Sequence, residues 1–467
     1  MNVLITPHRF SRVLRIPASK SHTIRRLLIA ALGEGVSEIA YPLDSLDTRS
    51  CAAVCRVLGV EITGDRSAGL TGDGPGANPP DGEGKRPGIW TVRGIGTAEG
   101  PAFPPGPAVC DVGNSGTTLF LALAAAALGT VPVTFTGDEQ IGRRGAGPLL
   151  DALAALGVKV SSRKDPVPGC TPITVEGPWK GGRVTLPCPT SQYLSALLLA
   201  APLAPAGTLT EIEVPLLNEK PYVELTLSYL KAQGIPYEGA EDFSFFRVPG
   251  GGSYRPLNGP VPGDFSSAAF PAAAAAITGG PVSLLGLDPA DPQGDKAFFD
   301  ILSRMGCEVT WTKEAPGQGT PWRLTVSRTG PLRGGEFDLN ATPDLLPALA
   351  AVACYARGKT ALVNVAHARI KETDRIAVMT RELGRLGGVC EETPDGLIIR
   401  GSGTPLGGGL GGRGPLDSRG DHRVVMALAV AALGAEGPVE ISGAESAAVT
   451  YPGFLEILDG TLREENL

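Results

Sequence analysis

The sequence lacks an excess of basic residues and has no cysteine motif of the metal-binding type. Its 467 residues carry 41 Lys and Arg against 48 Asp and Glu, which gives a net charge of −7. This balance argues against a general nucleic-acid surface, so any anionic ligand must be held by a local cluster of cations. The eight cysteines form no Cys-x-x-Cys pair and have no nearby histidines. They therefore predict buried thiols in a reducing compartment rather than a metal site.

Long apolar segments are also missing. The longest apolar run covers residues 119–128 and is too short to span a membrane. The first fifteen residues contain no apolar segment of the signal-peptide type. We therefore expect a cytoplasmic protein, and its length allows two or three domains with large cores.

Six short polar motifs, each followed by an apolar stretch rich in alanine and leucine, recur along the chain. Their small capping residues and N-terminal prolines predict six helix starts, three in each half. In the second half, equivalent points lie about 80 residues apart, a period that indicates repeated supersecondary units. The motifs begin at Pro17, Gly113, Pro189, Gly263, Thr342 and Gly420.

Short segments rich in Val, Ile and Thr flank these helices and predict strands with antiparallel or mixed pairing. A Pro- and Gly-rich stretch at residues 249–263 separates the two sets of three helices. The sequence thus predicts an α/β protein with one domain at residues 18–250 and another at 251–467. The N-terminal strand, residues 1–17, is expected to join the second domain.

The first motif carries two cations, Lys20 and Arg25, in a helix start where the helix dipole is already positive. A bound anion, held by backbone N–H groups and these cations together, would explain them. A solvated basic turn is the other interpretation. The repetition of six helix starts, able to converge on one cleft, favours the anion site.

Residues 369–375 place three cations and two carboxylates ahead of an apolar-periodic stretch. They form either a charged helix entry capped by Thr373 or a site where Glu372 performs acid–base chemistry on an anionic substrate. Asp344 could merely satisfy a helix dipole, and His422 could merely cap a helix. Taken together with the helix starts, these residues favour a site.

The motifs closely resemble those of the 5-enolpyruvylshikimate-3-phosphate synthase (EPSP synthase) family, from residue 14 to about residue 458. The resemblance implies a two-domain inverse α/β barrel, prism-like, with three repeated βαβαββ units per domain around buried helices. The matching motifs are Ser19-Lys-Ser21 with Arg25, Gly113-Asn-Ser-Gly-Thr-Thr118, Arg144 after Thr136-Gly-Asp138, Thr190-Ser-Gln192, Lys220-Pro-Tyr222, Pro343-Asp344, Arg369-Ile-Lys-Glu-Thr-Asp-Arg375 and Gly420-Asp-His-Arg423.

The resemblance also implies an activity. The enolpyruvyl group of phosphoenolpyruvate is transferred to the 5-hydroxyl of shikimate-3-phosphate, with release of phosphate, in the shikimate pathway. It implies no metal, no organic cofactor, no nucleic-acid or membrane partner, and a monomer. Cations bear the charge that Mg²⁺ bears in phosphoryl transfer.

The resemblance assigns roles residue by residue. Asp344 is expected to accept the hydroxyl proton, and Glu372 with Lys20 to move the proton at C3 of phosphoenolpyruvate. The implied shikimate-3-phosphate contacts are Lys20, Ser21, Arg25, Thr190, Ser191, Gln192, Tyr222, Asp344 and Lys371. The implied phosphoenolpyruvate contacts are Lys20, Asn114, Gly116, Thr117, Arg144, Arg375, His422 and Arg423.

Three positions depart from the family pattern. Phe120 stands where an Arg is usual, Glu219 where a Ser helps hold the substrate phosphate, and Val449 where a Lys binds phosphoenolpyruvate. These departures leave a non-catalytic anion-binding homologue as an alternative. The sister enzyme UDP-N-acetylglucosamine enolpyruvyl transferase is a weaker one, because residues 138–147 lack its reactive cysteine.

Overall fold

The computed structural model describes residues 1–64, 88–313, 320–407 and 414–459. All six predicted motifs lead into helices, although α9 begins one 3₁₀ turn later than its motif suggests. No helix in these ranges combines the length and apolarity needed to cross a membrane. Numbered along the chain, the helices are α1 (Lys20–Leu32), α2 (Leu46–Val57), α3 (Gly116–Ala126), α4 (Gly147–Ala155), α5 (Gln192–Ala200), α6 (Lys220–Gln233), α7 (Phe265–Thr278), α8 (Ala297–Arg304), α9 (Leu346–Cys354), α10 (Arg375–Arg385), α11 (His422–Ala432) and α12 (Phe454–Ile457).

The strands are short, as expected from the brief Val, Ile and Thr segments between turns. They are β1 (Asn2–Ile5), β2 (Arg12–Arg15), β3 (Val36–Ala40), β4 (Glu61–Thr63), β5 (Ile89–Arg93), β6 (Gly96–Thr97), β7 (Gly100–Pro101), β8 (Ala108–Asp111), β9 (Val133–Thr136), β10 (Lys159–Arg163), β11 (Cys170–Glu176), β12 (Gly182–Thr185), β13 (Leu209–Glu213), β14 (Glu238–Gly239), β15 (Phe245–Pro249), β16 (Gly259–Pro260), β17 (Val282–Leu285), β18 (Glu308–Lys313), β19 (Trp322–Ser327), β20 (Glu336–Asp338), β21 (Arg357–Val363), β22 (Val389–Thr393), β23 (Gly396–Ser402), β24 (Leu416–Asp417) and β25 (Val439–Ser442).

The described residues form two compact units. The central unit lies between Lys20 and Val261, and the terminal unit combines Met1–Ser19 with the chain from Pro262 onward. The division falls between residues 261 and 262 rather than at the predicted 250/251. The reason is that β16 still pairs with β3 of the central unit.

Each unit repeats one sheet pattern. A parallel pair of strands is followed by two antiparallel pairings, which gives the mixed pairing predicted from the sequence. In the described part of the central unit the orders are β16-β3-β5-β4, β8-β9-β11-β10 and β12-β13-β15-β14. In the terminal unit they are β2-β17-β19-β18, β20-β21-β23-β22 and β24-β25-β1. In the last of these three sheets, the described residues form the parallel pair and a single antiparallel pairing.

The helices that follow the motifs form the cores of the two units. In α7, α9 and α11 every residue is buried except Thr278 at the end of α7, and α3 and α5 are buried except for one residue each in the first turn. Helices that are apolar all round belong in a protein interior rather than at a surface. In the terminal unit α11 packs against α7 and α9, and in the central unit α3 packs against α5. The polar motif residues therefore sit at the ends of buried helices.

Candidate active site

Lys20 is the first residue of α1, and its ammonium group is held by a carboxylate of the same unit. Lys20 Nζ lies 3.0 Å from Asp47 Oδ2, and the two side chains are only 14% and 7% exposed. Asp47 lies in the first turn of α2, where an acid normally interacts with the helix dipole. The sequence analysis missed Asp47 because nothing in its local pattern distinguishes it from such a dipole partner.

Arg25 is fully buried five residues further along α1. Its guanidinium donates to Thr226 Oγ1 at 2.9 Å, to the carbonyl oxygens of Tyr222 at 3.1 Å and Ser21 at 3.2 Å, and to Ser195 Oγ at 3.4 Å. Burial lowers the pKa of Arg25 to about 10, so the group is still a cation at neutral pH. These bonds bring three predicted shikimate-3-phosphate contacts together: Ser21, Arg25 and Tyr222.

Thr190 and Ser191 precede α5 and face the side chain of Glu219. Oε2 of Glu219 accepts hydrogen bonds from Thr190 Oγ1 at 3.1 Å, from the Ser191 N–H at 3.1 Å and from Ser191 Oγ at 2.9 Å. Gln192 begins α5, and within the described ranges its buried Oε1 has no hydrogen-bond partner. Thr190 and Ser191 thus direct three hydrogen-bond donors to one place, and the Glu219 carboxylate accepts all three.

Four predicted phosphoenolpyruvate contacts, Asn114, Gly116, Thr117 and Arg144, lie at or beside the start of α3. A side chain at Gly116 would place its Cβ 2.5 Å from Nη1 of Arg144, so this guanidinium lies directly against the Gly116 backbone. Asn114 donates to Gln140 in the loop that leads to Arg144. Thr117, half-buried, lies in the first turn of α3.

Phe120 occupies the next turn of α3, where the family pattern has an Arg. It is buried, and its ring packs edge-on against Tyr193 with 5.1 Å between centroids. The Tyr193 hydroxyl donates to the Gly145 carbonyl, next to Arg144. The departure at position 120 therefore replaces a charge by an apolar contact that supports the Arg144 loop.

In the terminal unit, Arg375 is fully buried at the start of α10 and binds three carboxylates. It donates to Asp344 at 2.7 Å, to Glu372 at 2.6 Å and to Asp421 at 2.9 Å. Arg423 donates to the second oxygen of Asp344 at 2.8 Å. Arg375 and Arg423, two predicted phosphoenolpyruvate contacts, thus form one network with the predicted acid–base carboxylates Asp344 and Glu372.

Electrostatics in this network keep Asp344 ionised. Burial alone would raise the pKa of Asp344, but Arg423, then Lys371 and Arg375, outweigh that effect and hold its pKa well below the usual range. For Arg375, burial alone would lower the pKa. Its three carboxylate partners, Asp421, Glu372 and Asp344, outweigh burial and raise the pKa above the ordinary value. The free site is therefore a set of tightly paired charges.

The helix entries in the terminal unit differ from expectation in one detail. Thr373 was the predicted cap of α10, but Asp374 accepts the N–H of Ala377 and is the N-cap. Thr373 instead donates to Asp421 at 3.0 Å, because its hydroxyl is drawn to the buried carboxylate that also binds Arg375. Asp421 in turn caps α11 by accepting the N–H of Arg423.

The remaining predicted residues have simpler positions. His422 is buried as the first residue of α11. Val449 ends the 3₁₀ helix Ala444–Val449 and is half-buried. In the part of the chain that the structure describes, no group of three or more His, Cys, Asp or Glu residues could hold a metal ion.

Asp295 is a second buried carboxylate that the sequence analysis missed, because it lies in a short 3₁₀ segment without a helix-start motif. Ser266 at the start of α7 donates to it. Burial, and then the neighbouring Asp344, raise the pKa of Asp295 to about 7. Asp295 and Asp344 are thus neighbours whose environments shift their pKa values in opposite directions.

The raised pKa of Asp295 predicts that the stability of the folded protein depends on pH. Between the ordinary aspartate pKa of about 3.9 and the folded value of about 7, the folded protein binds more protons than the unfolded one. The stabilising contribution is full below about pH 4 and is lost as pH rises to 7. Asp295→Asn should remove a loss on the order of 4 kcal/mol over this range.

Urea unfolding of wild type and Asp295→Asn at pH 4.5 and 7.5 measures this effect, with the exposed Asp300→Asn in α8 as the control. The variant should be more stable than wild type at pH 7.5. Parallel pH dependences for wild type and Asp295→Asn would show that Asp295 does not hold a proton in the folded state.

Comparison with known proteins agrees with this architecture. The EPSP synthase (3-phosphoshikimate 1-carboxyvinyltransferase) family profile matches residues 5–80 and 89–458. A 3-phosphoshikimate 1-carboxyvinyltransferase of Acetivibrio thermocellus is 45% identical over 95% of this chain and 94% of its own length. One from Halobacterium salinarum is 40% identical over 98% of both chains.

A solved EPSP synthase from Acinetobacter baumannii has the same fold. Its TM-score is 0.75 and its sequence identity 27%, over 98% of this chain and 97% of that one. Fold and charged helix starts together define a two-unit α/β protein of the enolpyruvyl transferase type. The chain belongs to the EPSP synthase family.

Proposed function

We infer that this protein transfers the enolpyruvyl group of phosphoenolpyruvate to the 5-hydroxyl of shikimate-3-phosphate and releases phosphate. The observation that carries the inference is the family match across residues 5–80 and 89–458. The relatives compared above bear the transferase name, and none is a non-catalytic homologue or a UDP-N-acetylglucosamine enzyme. Both substrates are anions, and a chain of net charge −7 must bind them with local cations.

Asp344 is the base in this proposal. Its carboxylate is ionised, and in the free protein Arg375 and Arg423 bind both of its oxygens. Phosphoenolpyruvate brings its own carboxylate and phosphate to these arginines. Sharing the arginines with the ligand weakens their hold on Asp344 and raises its basicity. Asp344 then accepts the proton of the 5-hydroxyl as that oxygen attacks C2 of phosphoenolpyruvate.

Glu372 and Lys20 handle the proton at C3. Addition places a proton on C3 and gives a tetrahedral intermediate. Elimination breaks the bond from C2 to the phosphate oxygen, removes a proton from C3 and leaves the enolpyruvyl ether. Glu372 is bound to Arg375 at 2.6 Å, so its carboxyl lies beside a guanidinium that the proposal gives to phosphoenolpyruvate.

Binding is divided among the predicted residues. Arg144 and Gly116 lie against each other. The proposed phosphoenolpyruvate contacts are Lys20, Asn114, Gly116, Thr117, Arg144, Arg375, His422 and Arg423. The shikimate-3-phosphate contacts are Lys20, Ser21, Arg25, Thr190, Ser191, Gln192, Tyr222, Asp344 and Lys371. A monomer remains our expectation for the working enzyme.

The test is release of inorganic phosphate from shikimate-3-phosphate and phosphoenolpyruvate, with identification of the enolpyruvyl ether by mass spectrometry. Asp344→Asn should lower kcat by about 10²- to 10⁴-fold, because an amide cannot accept the hydroxyl proton. Its affinity for shikimate-3-phosphate, measured by calorimetry, should persist. The exposed Asp338→Asn in β20 is the matched control.

A wild-type protein that releases no phosphate would contradict the proposed function. Retention of kcat in Asp344→Asn together with weaker binding would instead make Asp344 a positioning residue and leave the reaction itself intact.

A further inference from the structure

Glu219 is a buried acid that the proposed reaction does not use. Its side chain is 1% exposed, and one carboxylate oxygen, Oε2, accepts three hydrogen bonds from Thr190 and Ser191. Two of the donors are hydroxyls and one is the backbone N–H of Ser191, next to the first turn of α5. Converging donors of this kind bind an anionic oxygen.

The position of Glu219 in the chain makes this arrangement unusual. Glu219 immediately precedes α6, at the N-cap position, where a polar side chain normally accepts N–H groups of its own helix. It makes no such capping bond. Its backbone is left-handed, with φ 61° and ψ 40°, and its carboxylate is directed to the start of α5 instead. A left-handed glutamate is costly and persists only where its surroundings fix it.

The donors that bind Glu219 belong to Thr190 and Ser191, which the proposed function lists among the shikimate-3-phosphate contacts. Position 219 is also where the family pattern has a Ser that helps hold the substrate phosphate, so we place that phosphate at these donors. A carboxylate oxygen and a phosphate oxygen require the same hydrogen bonds, so they cannot both occupy this place. Two anions would also repel each other strongly in a site so little exposed to water. The substrate phosphate can therefore bind Thr190 and Ser191 only when the Glu219 carboxylate has moved away.

We propose that Glu219 is an internal anion that occupies the phosphate position of the free protein and competes there with the phosphorylated substrate. This proposal rests on the proposed function. Glu219 then sets how strongly the site prefers a phosphorylated ligand over its unphosphorylated counterpart. A neutral hydroxyl does not need the whole set of donors, so shikimate itself should bind with little influence from Glu219.

Calorimetric titration with shikimate-3-phosphate and with shikimate tests the proposal in wild type, Glu219→Gln and Glu219→Ser. Gln keeps the size and the acceptor oxygen but removes the charge, and Ser removes both. Either variant should bind shikimate-3-phosphate at least about tenfold more tightly than wild type. Shikimate affinity should change less than about threefold. Glu213→Gln, an exposed acid paired with Arg183 in the same unit, is the control and should leave both affinities unchanged.

Thermal unfolding of each variant confirms that the comparison is made on folded protein. If Glu219→Gln is folded and binds shikimate-3-phosphate no more tightly than wild type, the proposal is wrong and Glu219 only holds the starts of α5 and α6 together. An equal gain for shikimate would also overturn it, because the effect would then not concern the phosphate. Turnover by the wild type is a separate result, so failure of the proposed function is distinguishable from failure here.

Discussion

Lys20→Met should lower kcat/KM by at least about a hundredfold, since a preorganised donor to developing charge is worth that much or more in kcat. The proposed reaction gives Lys20 contacts with both substrates, and Asp47 holds its ammonium group at 3.0 Å. Methionine keeps the length of the side chain but provides no donor. Phosphate-release kinetics on the purified variant, with circular dichroism to verify its fold, measure the loss.

Lys231→Met, an exposed lysine near the end of α6, is the matched control and should behave as wild type. Asp47→Asn distinguishes the charge of the ammonium group from its positioning, because the variant keeps the Lys20 cation but loses the ion pair that holds it in place. We expect its loss to lie between those of the other two variants. If Lys20→Met keeps more than about a tenth of wild-type kcat/KM, less than about 1.4 kcal/mol has been lost and Lys20 is not central.

Arg375→Met should destabilise the terminal unit by about 3–5 kcal/mol and remove turnover. The substitution leaves Asp344, Glu372 and Asp421 without the guanidinium that binds all three. Breaking a buried ion pair by removing one partner costs this much because a buried charge is left uncompensated. Urea unfolding at pH 7 gives the free energy, and the exposed Arg400→Met in β23 is the control.

Two further measurements identify the cause of the loss. Glu372→Gln in the Arg375→Met background should restore part of the stability, by about 0.5–3 kcal/mol, because it removes one uncompensated charge. The arginine network lowers the pKa of Asp344. The stabilising effect of the arginines on Asp344 is therefore present above about pH 4 and is lost as pH falls and Asp344 becomes protonated. A deficit that is unchanged at pH 3 and insensitive to Glu372→Gln would point to lost packing instead of charge.

Local signals in the sequence predicted the repeated helix starts, because a cap and an apolar body lie within a few residues of each other. Asp264 illustrates this: it accepts the N–H of Ser267 and begins α7 where the motif indicated. The same reasoning named Thr373 as the cap of α10, where Asp374 is the N-cap. Both residues are good caps, and only the distant Asp421, which draws the Thr373 hydroxyl away, decides between them.

The pairing of charges could not be predicted, because it depends on contacts between residues far apart in the chain. Arg375 meets Asp421, 46 positions away, and Arg423 meets Asp344, 79 positions away. Glu219 was noticed only as a departure from a family pattern. Its left-handed backbone and its bonds to Thr190 and Ser191 follow from the fold around it, and no propensity at position 219 indicates them.

The strand pairing of the terminal unit has a consequence for how the protein is made. β1 and β2 leave the ribosome before the central unit, yet β2 pairs with β17 and β1 pairs with β25, which are synthesised only after that unit. The described residues of the central unit all lie between Lys20 and Val261, so its sheets can form during translation. Until β17 and β25 have been synthesised, β1 and β2 have unpaired edges, and such edges are prone to association with other chains. The central unit can therefore finish folding while the terminal unit still lacks the strands that pair with β1 and β2.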